Sequence, residues 1–140
     1  MVCKRLEDVL LALARKHGID PEGLEEDLRL DLPGHSLFVV EFQSGSPGRV
    51  CVAHYFEENG DQVPDPELWL FRTPEGWVPC ALAQPFMGQR FCAREAAGAV
   101  QVTDANVLAE FVAFAEEWAE AIEWKYLKAD AARRVTAQSA

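Results

Sequence analysis

No stretch of these 140 residues is apolar for long enough to cross a membrane, because the apolar runs last only a few residues. The opening Met1-Val2-Cys3-Lys4-Arg5 passes straight into charged residues and offers no secretory core, so the expected location is the cytoplasm. Cys-x-x-Cys is absent: Cys3, Cys51, Cys80 and Cys92 stand 48, 29 and 12 positions apart, and no histidine lies at zinc-finger spacing from any of them. That argues against a structural zinc site, and in a reducing compartment four thiols are expected to stay free. Gly-x-Gly-x-x-Gly and the P-loop pattern are missing, so nothing is arranged to cradle a nucleotide phosphate. Ser44-Gly45-Ser46 is flanked by Gln43 and Pro47 and lacks the Gly-x-Ser-x-Gly context of a serine nucleophile. No cofactor is expected.

Basic residues are also scarce. Lys and Arg number 13 against 23 Asp and Glu, for a net charge of −10. The excess is even, at −3 over residues 1–35, −4 over 36–103 and −3 over 104–140. Such a field repels phosphate backbones and anionic lipid, so direct binding to nucleic acid or membrane is not expected. Lys4-Arg5, Arg15-Lys16 and Arg133-Arg134 are only pairs and do not overturn that balance. The acidity serves solubility, or else a basic protein partner or a mimic of nucleic-acid charge.

Forty-nine per cent of the chain is apolar and 26% charged, an ordinary globular balance for one domain with a core of its own. Leu6, Val9, Leu10, Leu13 and His17 recur at helical spacing and predict a helix over 3–17, stopped by Gly18. Asp20-Pro21-Glu22, followed by Glu25 and Glu26, predicts a short second helix over about 20–27. Beyond Pro33-Gly34 the period becomes extended. Residues 36–43, 49–56, 67–72 and 77–83 read as strands, with a fifth at 89–94 or 100–102. The connections are too short for helical crossovers, so the strands form an antiparallel meander. A loop is expected through Pro64 and Pro66.

Thr103 reads as the N-cap of a last helix running to about Lys128. Val107, Leu108, Phe111, Val112, Phe114, Ala115, Trp118, Ala121 and Ile122 fill one side of it, and Glu110, Glu116, Glu117, Glu120 and Glu123 most of the other. Trp124 and Leu127 break the pattern by projecting among the acids, either as a frayed end or as a candidate interface. Residues 129–140 lose periodicity and are expected to be a flexible tail. The expected architecture is therefore α+β. N-terminal helices precede a meander of four or five strands, and a long C-terminal helix packs on one sheet face, all within residues 1–128.

The densest polar cluster is His54 to Asp61 followed by Asp65-Pro66-Glu67. His54, Asp61, Asp65 and Glu67 form a candidate site, since carboxylates at a hairpin tip can gather a hard cation. The spacing fails the EF-hand test and fails as a metal-dependent nuclease signature. Asn59-Gly60 supplies a positive-φ hairpin turn without invoking any ligand. Cys92, between Arg90 and Arg94, is the cysteine whose neighbours could lower its pKa.

His54-Tyr55, Asn59-Gly60-Asp61, Asp65-Pro66-Glu67, Trp77-Val78-Pro79 and Met87-Gly88 together resemble the core pattern of an uncharacterised bacterial domain family. That family occurs in proteins of phages, plasmids and other mobile elements. The resemblance covers about residues 36–90 and implies a domain type without an established activity. Two functions follow as expectations. The first is a non-enzymatic module that binds a protein partner or itself. The alternative is a metal-dependent hydrolase or small-ligand site at His54, Asp61, Asp65 and Glu67.

Overall fold

The computed structural model describes residues 1–22, 26–85, 87–129 and 132–135. Helix α1 spans Lys4–Lys16 and buries Leu6, Val9, Leu10, Leu13 and Ala14, the stripe that its periodicity demands. It ends where glycine permits: Gly18 has φ +76°, and the Ile19 amide donates back to the Ala14 carbonyl at 2.8 Å.

The second helix expected over 20–27 is not what the described residues form. Residues 23–25 lie outside them, Asp20–Glu22 is a turn in which Asp20 Oδ1 accepts from the Glu22 amide, and β1 occupies Asp27–Asp31. In β1, Leu28 and Leu30 point inward between outward charges, a period of two that a helix could not bury on one side.

Leu37–Gln43 (β2), Gly48–Glu58 (β3), Asp61–Thr73 (β4), Gly76–Gln84 (β5) and Gly88–Phe91 (β6) continue the sheet. It is seven-stranded and antiparallel in the order β6-β5-β4-β3-β2-β1-β9, where β9 is Arg133–Arg134. The meander is thus as expected and the count of four or five strands is not. Both candidates for a fifth strand exist: β6 covers the first in part, while Ala99–Val102 (β8) pairs with Ala93–Ala96 (β7) in a separate hairpin. β9 pairs with Asp31 and Leu30 of β1, inside the span expected as a tail; residues 130–131 and 136–140 lie outside the described residues.

The expected loop through Pro64 and Pro66 is strand. A register shift between Ala53 and Tyr55 lets β3 pair with Pro64 and then with Glu67, and such an irregularity accommodates residues that cannot donate to a ladder. Asn59 and Gly60, at φ +53° and +85°, make the tight turn between β3 and β4.

Helix α2, Ala105–Ile122, starts one residue later than expected. Asp104 rather than Thr103 is its N-cap, with Oδ1 accepting from the amides of Asn106 and Val107 at 3.1 Å. A π-helical turn, Glu123–Lys128, follows without a break. Both helices lie on the sheet face formed by Phe38, Val40, Phe42, Val50, Val52, Leu68 and Leu70, and all these side chains join one core. Cross-strand rows such as Leu30–Phe38–His54 and Leu28–Val40–Val52–Leu68 build that face. The Arg5 amide at the start of α1 donates to Glu116 of α2 at 2.9 Å, which ties the two helices together.

Candidate functional site

His54 of β3 points to the helix-covered side. Its Nε2 lies 3.0 Å from the Tyr126 hydroxyl, and its ring sits 5.0 Å from Phe38 and 5.6 Å from Trp118. Tyr126, 1% exposed, stacks on Phe38 at 4.6 Å. Burial, with Lys125 and His35 close enough to add to it, pushes the His54 pKa down to about 4. The imidazole is therefore neutral at physiological pH. Its outer side borders a shallow cleft of about 240 Å³ lined by Gly34, His35, Ser36, His54, Asp65 and Lys125.

Of the four residues nominated from the sequence, the cleft unites only His54 and Asp65. Asp61 begins β4 at the exposed hairpin tip, opposite Glu58. Glu67 belongs to the other sheet face, where it accepts from Trp69 Nε1 at 3.0 Å and from the Tyr55 hydroxyl at 3.4 Å. There it adds to the charge that, after burial and Asp27, raises the pKa of Glu41. Alternation along a strand accounts for the split, since Glu67 pairs with Ala53 while His54 faces away from both. Among the described residues, no group of three or more His, Cys, Asp or Glu is placed to hold a metal ion.

Cys92 is not activated by its flanking arginines. Arg90 goes to Glu110 at 2.6 Å and Arg94 to Gln101 at 2.8 Å, while the buried Cys92 thiol donates to the Pro79 carbonyl. Burial raises its pKa to about 12. All four cysteines are free.

The π-helical turn sorts the aromatic residues of the C-terminal helix. The Ala129 amide donates to the Trp124 carbonyl at 3.1 Å, a span of five residues. A wider turn rotates each residue less about the axis. By Leu127 the lag has returned the side chain to the packed side, where it leans on the core instead of projecting among the acids. Trp124 is left outward and 70% exposed. It borders a cleft of about 460 Å³ with Arg5, Glu117, Glu120, Ala121, Glu123 and Lys128. Arg5 reaches Glu120 at 3.6 Å and Glu123 at 3.4 Å, whereas Glu117 has no ion-pair partner among the described residues.

A family model described as a domain of unknown function (DUF6908) matches residues 8–124. The chain belongs to this family. The match extends well beyond the motif-bearing residues 36–90 and takes in most of α1 and all of α2. No curated protein and no solved structure matches the chain. The chain thus combines an N-terminal helix, a six-stranded meander (β1–β6) extended at the β1 edge by β9, and a long C-terminal helix. Among the described residues no helix is long and apolar enough to cross a membrane.

Sequence reasoning missed Tyr126, Lys125, His35 and Ser36. Tyr126 had a signal: it lies four residues after Ile122 and continues the buried stripe of Phe111, Ala115 and Ile122. The others had none, because the β1–β2 turn and the π-helical turn come together only in the fold.

Proposed function

We propose that this DUF6908 domain is a non-enzymatic protein-interaction module whose contact surface centres on Trp124. The observation that carries the reading is a tryptophan 70% exposed on a continuous helix, while its neighbours Tyr126 and Leu127 are drawn into the core. An aromatic centre with a charged rim is the anatomy of a binding hot spot. Glu117 and Glu120 on the rim favour a partner that brings Lys or Arg to it. The resemblance to mobile-element proteins suggests a partner from that setting, met in the cytoplasm.

The hydrolase alternative needs His54, Asp61, Asp65 and Glu67 to converge, and the separation of Asp61 and Glu67 leaves it without support.

The test is affinity capture from cells that contain the native protein, with wild type and Trp124→Ala side by side, joined to light scattering of each. A partner or a second copy held by wild type should be lost at least about tenfold in Trp124→Ala, as truncating a hot-spot residue implies. Thermal melts of the two should coincide. A strict monomer whose captured proteins are the same for both variants would end this reading.

A further inference from the structure

Glu117, Glu120, Ala121 and Trp124 are all exposed along the outward side of α2 and its π-helical continuation. With a rotation of about 100° per residue, Glu117, Glu120 and Trp124 fall within about 60° of one another around the axis. Ala121 lies beside them. A helical side chain leans toward the N-terminus, so the Trp124 ring reaches back over the turn that holds Glu120 and Ala121. The cleft of about 460 Å³ opens at this place, with Arg5 of α1 on its border.

This surface already holds one guanidinium. Arg5 puts Nη1 3.6 Å from Glu120 Oε2 and Nη2 3.4 Å from Glu123 Oε1, bridging two carboxylates that stand three residues apart. Glu117 and Glu120 repeat that spacing about 4.5 Å nearer the N-terminus, on the side of the helix turned toward Trp124. A second guanidinium placed there finds the arrangement that Arg5 finds, with the indole as an added wall. Carboxylates alone would accept any cation. A flat ring beside two acids set for a two-pronged donor selects a planar one. Lysine brings a single compact charge and meets one carboxylate at a time.

We propose that the partner of this surface is a protein segment that lays an arginine over Ala121, its guanidinium bridging Glu117 and Glu120 against the Trp124 ring. Glu120 then serves two guanidinium groups, as the two acceptor oxygens of a carboxylate allow. The inference rests on the interaction reading centred on Trp124 and adds the residue that the partner must carry.

The experiment is an NMR titration of the full chain with N-acetyl-arginine amide, its lysine counterpart and its neutral citrulline counterpart. The signal followed is the Trp124 indole N–H, assigned by its absence in Trp124→Ala. The arginine compound should shift it saturably with half-saturation at about 1–10 mM, the range of a single small contact. Lysine should bind at least about threefold more weakly, and citrulline should leave the signal unmoved. Glu117→Gln and Glu120→Gln together should weaken arginine binding at least about fivefold, whereas Glu58→Gln at the β3–β4 hairpin tip should not. These acids are exposed, so the melts of the variants should coincide with that of wild type. No saturable shift with arginine, equal binding of arginine and lysine, or binding indifferent to the double substitution would overturn the proposal. If it falls while Trp124→Ala still loses a captured partner, the interaction reading stands and only the arginine is wrong. If capture also shows no difference, both fall.

Discussion

The two faces of the sheet bury their residues by different means. On the helix-covered face, Phe38, Phe42, Leu68 and Leu70 interlock with Leu6, Leu10, Phe111 and Ile122 in one core. On the other, Val39, Cys51, Ala53 and Ala81 are buried although they stand outside that core, and among the described residues no helix covers them. Their shelter comes from longer neighbours on the same face: Tyr55, Glu67 and Trp69, with Arg49 over Phe71 at 5.4 Å. Small residues beneath amphipathic ones can close a sheet face without a second layer. The consequence is that stability should be concentrated on one side of the sheet.

Phe38→Ala is the strongest test of that asymmetry. It removes a fully buried ring that stacks on Tyr126 and meets Trp118 edge-on at 6.4 Å. A loss of about 3–5 kcal/mol is expected in urea denaturation, including the cavity left behind. Trp69→Ala takes the largest side chain from the open face but should cost only about 1–2 kcal/mol, since the ring is half-exposed and adds one hydrogen bond. Equal losses for the two would mean that the open face is a second core.

Between these two in size lies a dependence on pH that separates the faces by sign. His54 has its pKa lowered to about 4 in the fold, against about 6.5 when unfolded. The unfolded chain therefore binds the extra proton first, and stability falls as pH drops from about 6.5 toward 4, by at most about 3 kcal/mol. Glu41, on the open face, has its pKa raised by burial and by Asp27. Its contribution is complete at low pH and is lost as pH rises through that raised pKa, so acidification relieves it. His54→Gln should flatten the acid limb of the stability profile, and Glu41→Gln should raise stability at neutral pH. A profile unchanged by His54→Gln would show that the imidazole takes up its proton alike in the folded and the unfolded chain.

The difference between the faces also governs what could be read from the sequence. The large-residue face was legible: the α1 stripe and the apolar side of α2 follow from regular periods, and β2 and β3 from their β-branched and aromatic runs. Asn59-Gly60 announced its hairpin. Where two rules competed, the sequence misled. Leu28 and Leu30 alternate as a strand should, but Asp20-Pro21 and the run of acids before them read as a helix start. Pro64 and Pro66 read as loop because a proline cannot donate, and only the register shift beside Tyr55 shows how the ladder avoids needing those donors. The candidate site was half legible. Polar residues close in sequence, from His54 to Glu67, drew attention to the right strand pair, yet alternation sent Glu67 to the opposite face. Lys125, His35 and Ser36 joined His54 from distant turns, which no spacing rule anticipates.

The smallest effect expected on stability is at Trp124, and its smallness is the point. The ring is 70% exposed, and the π-helical turn that turns Leu127 inward keeps its own hydrogen bond through the Trp124 carbonyl, which alanine retains. Trp124→Ala should therefore change the unfolding free energy by no more than about 0.5 kcal/mol, the range of surface substitutions away from special features. Leu127→Ala, one step further along the same turn, removes a side chain packed against the core and should cost measurably more. If both variants are neutral, the turn is a frayed end and Trp124 is exposed for want of packing. If Trp124→Ala is neutral and Leu127→Ala is not, the fold anchors the turn through Leu127 and Tyr126 while leaving the tryptophan free to meet a partner.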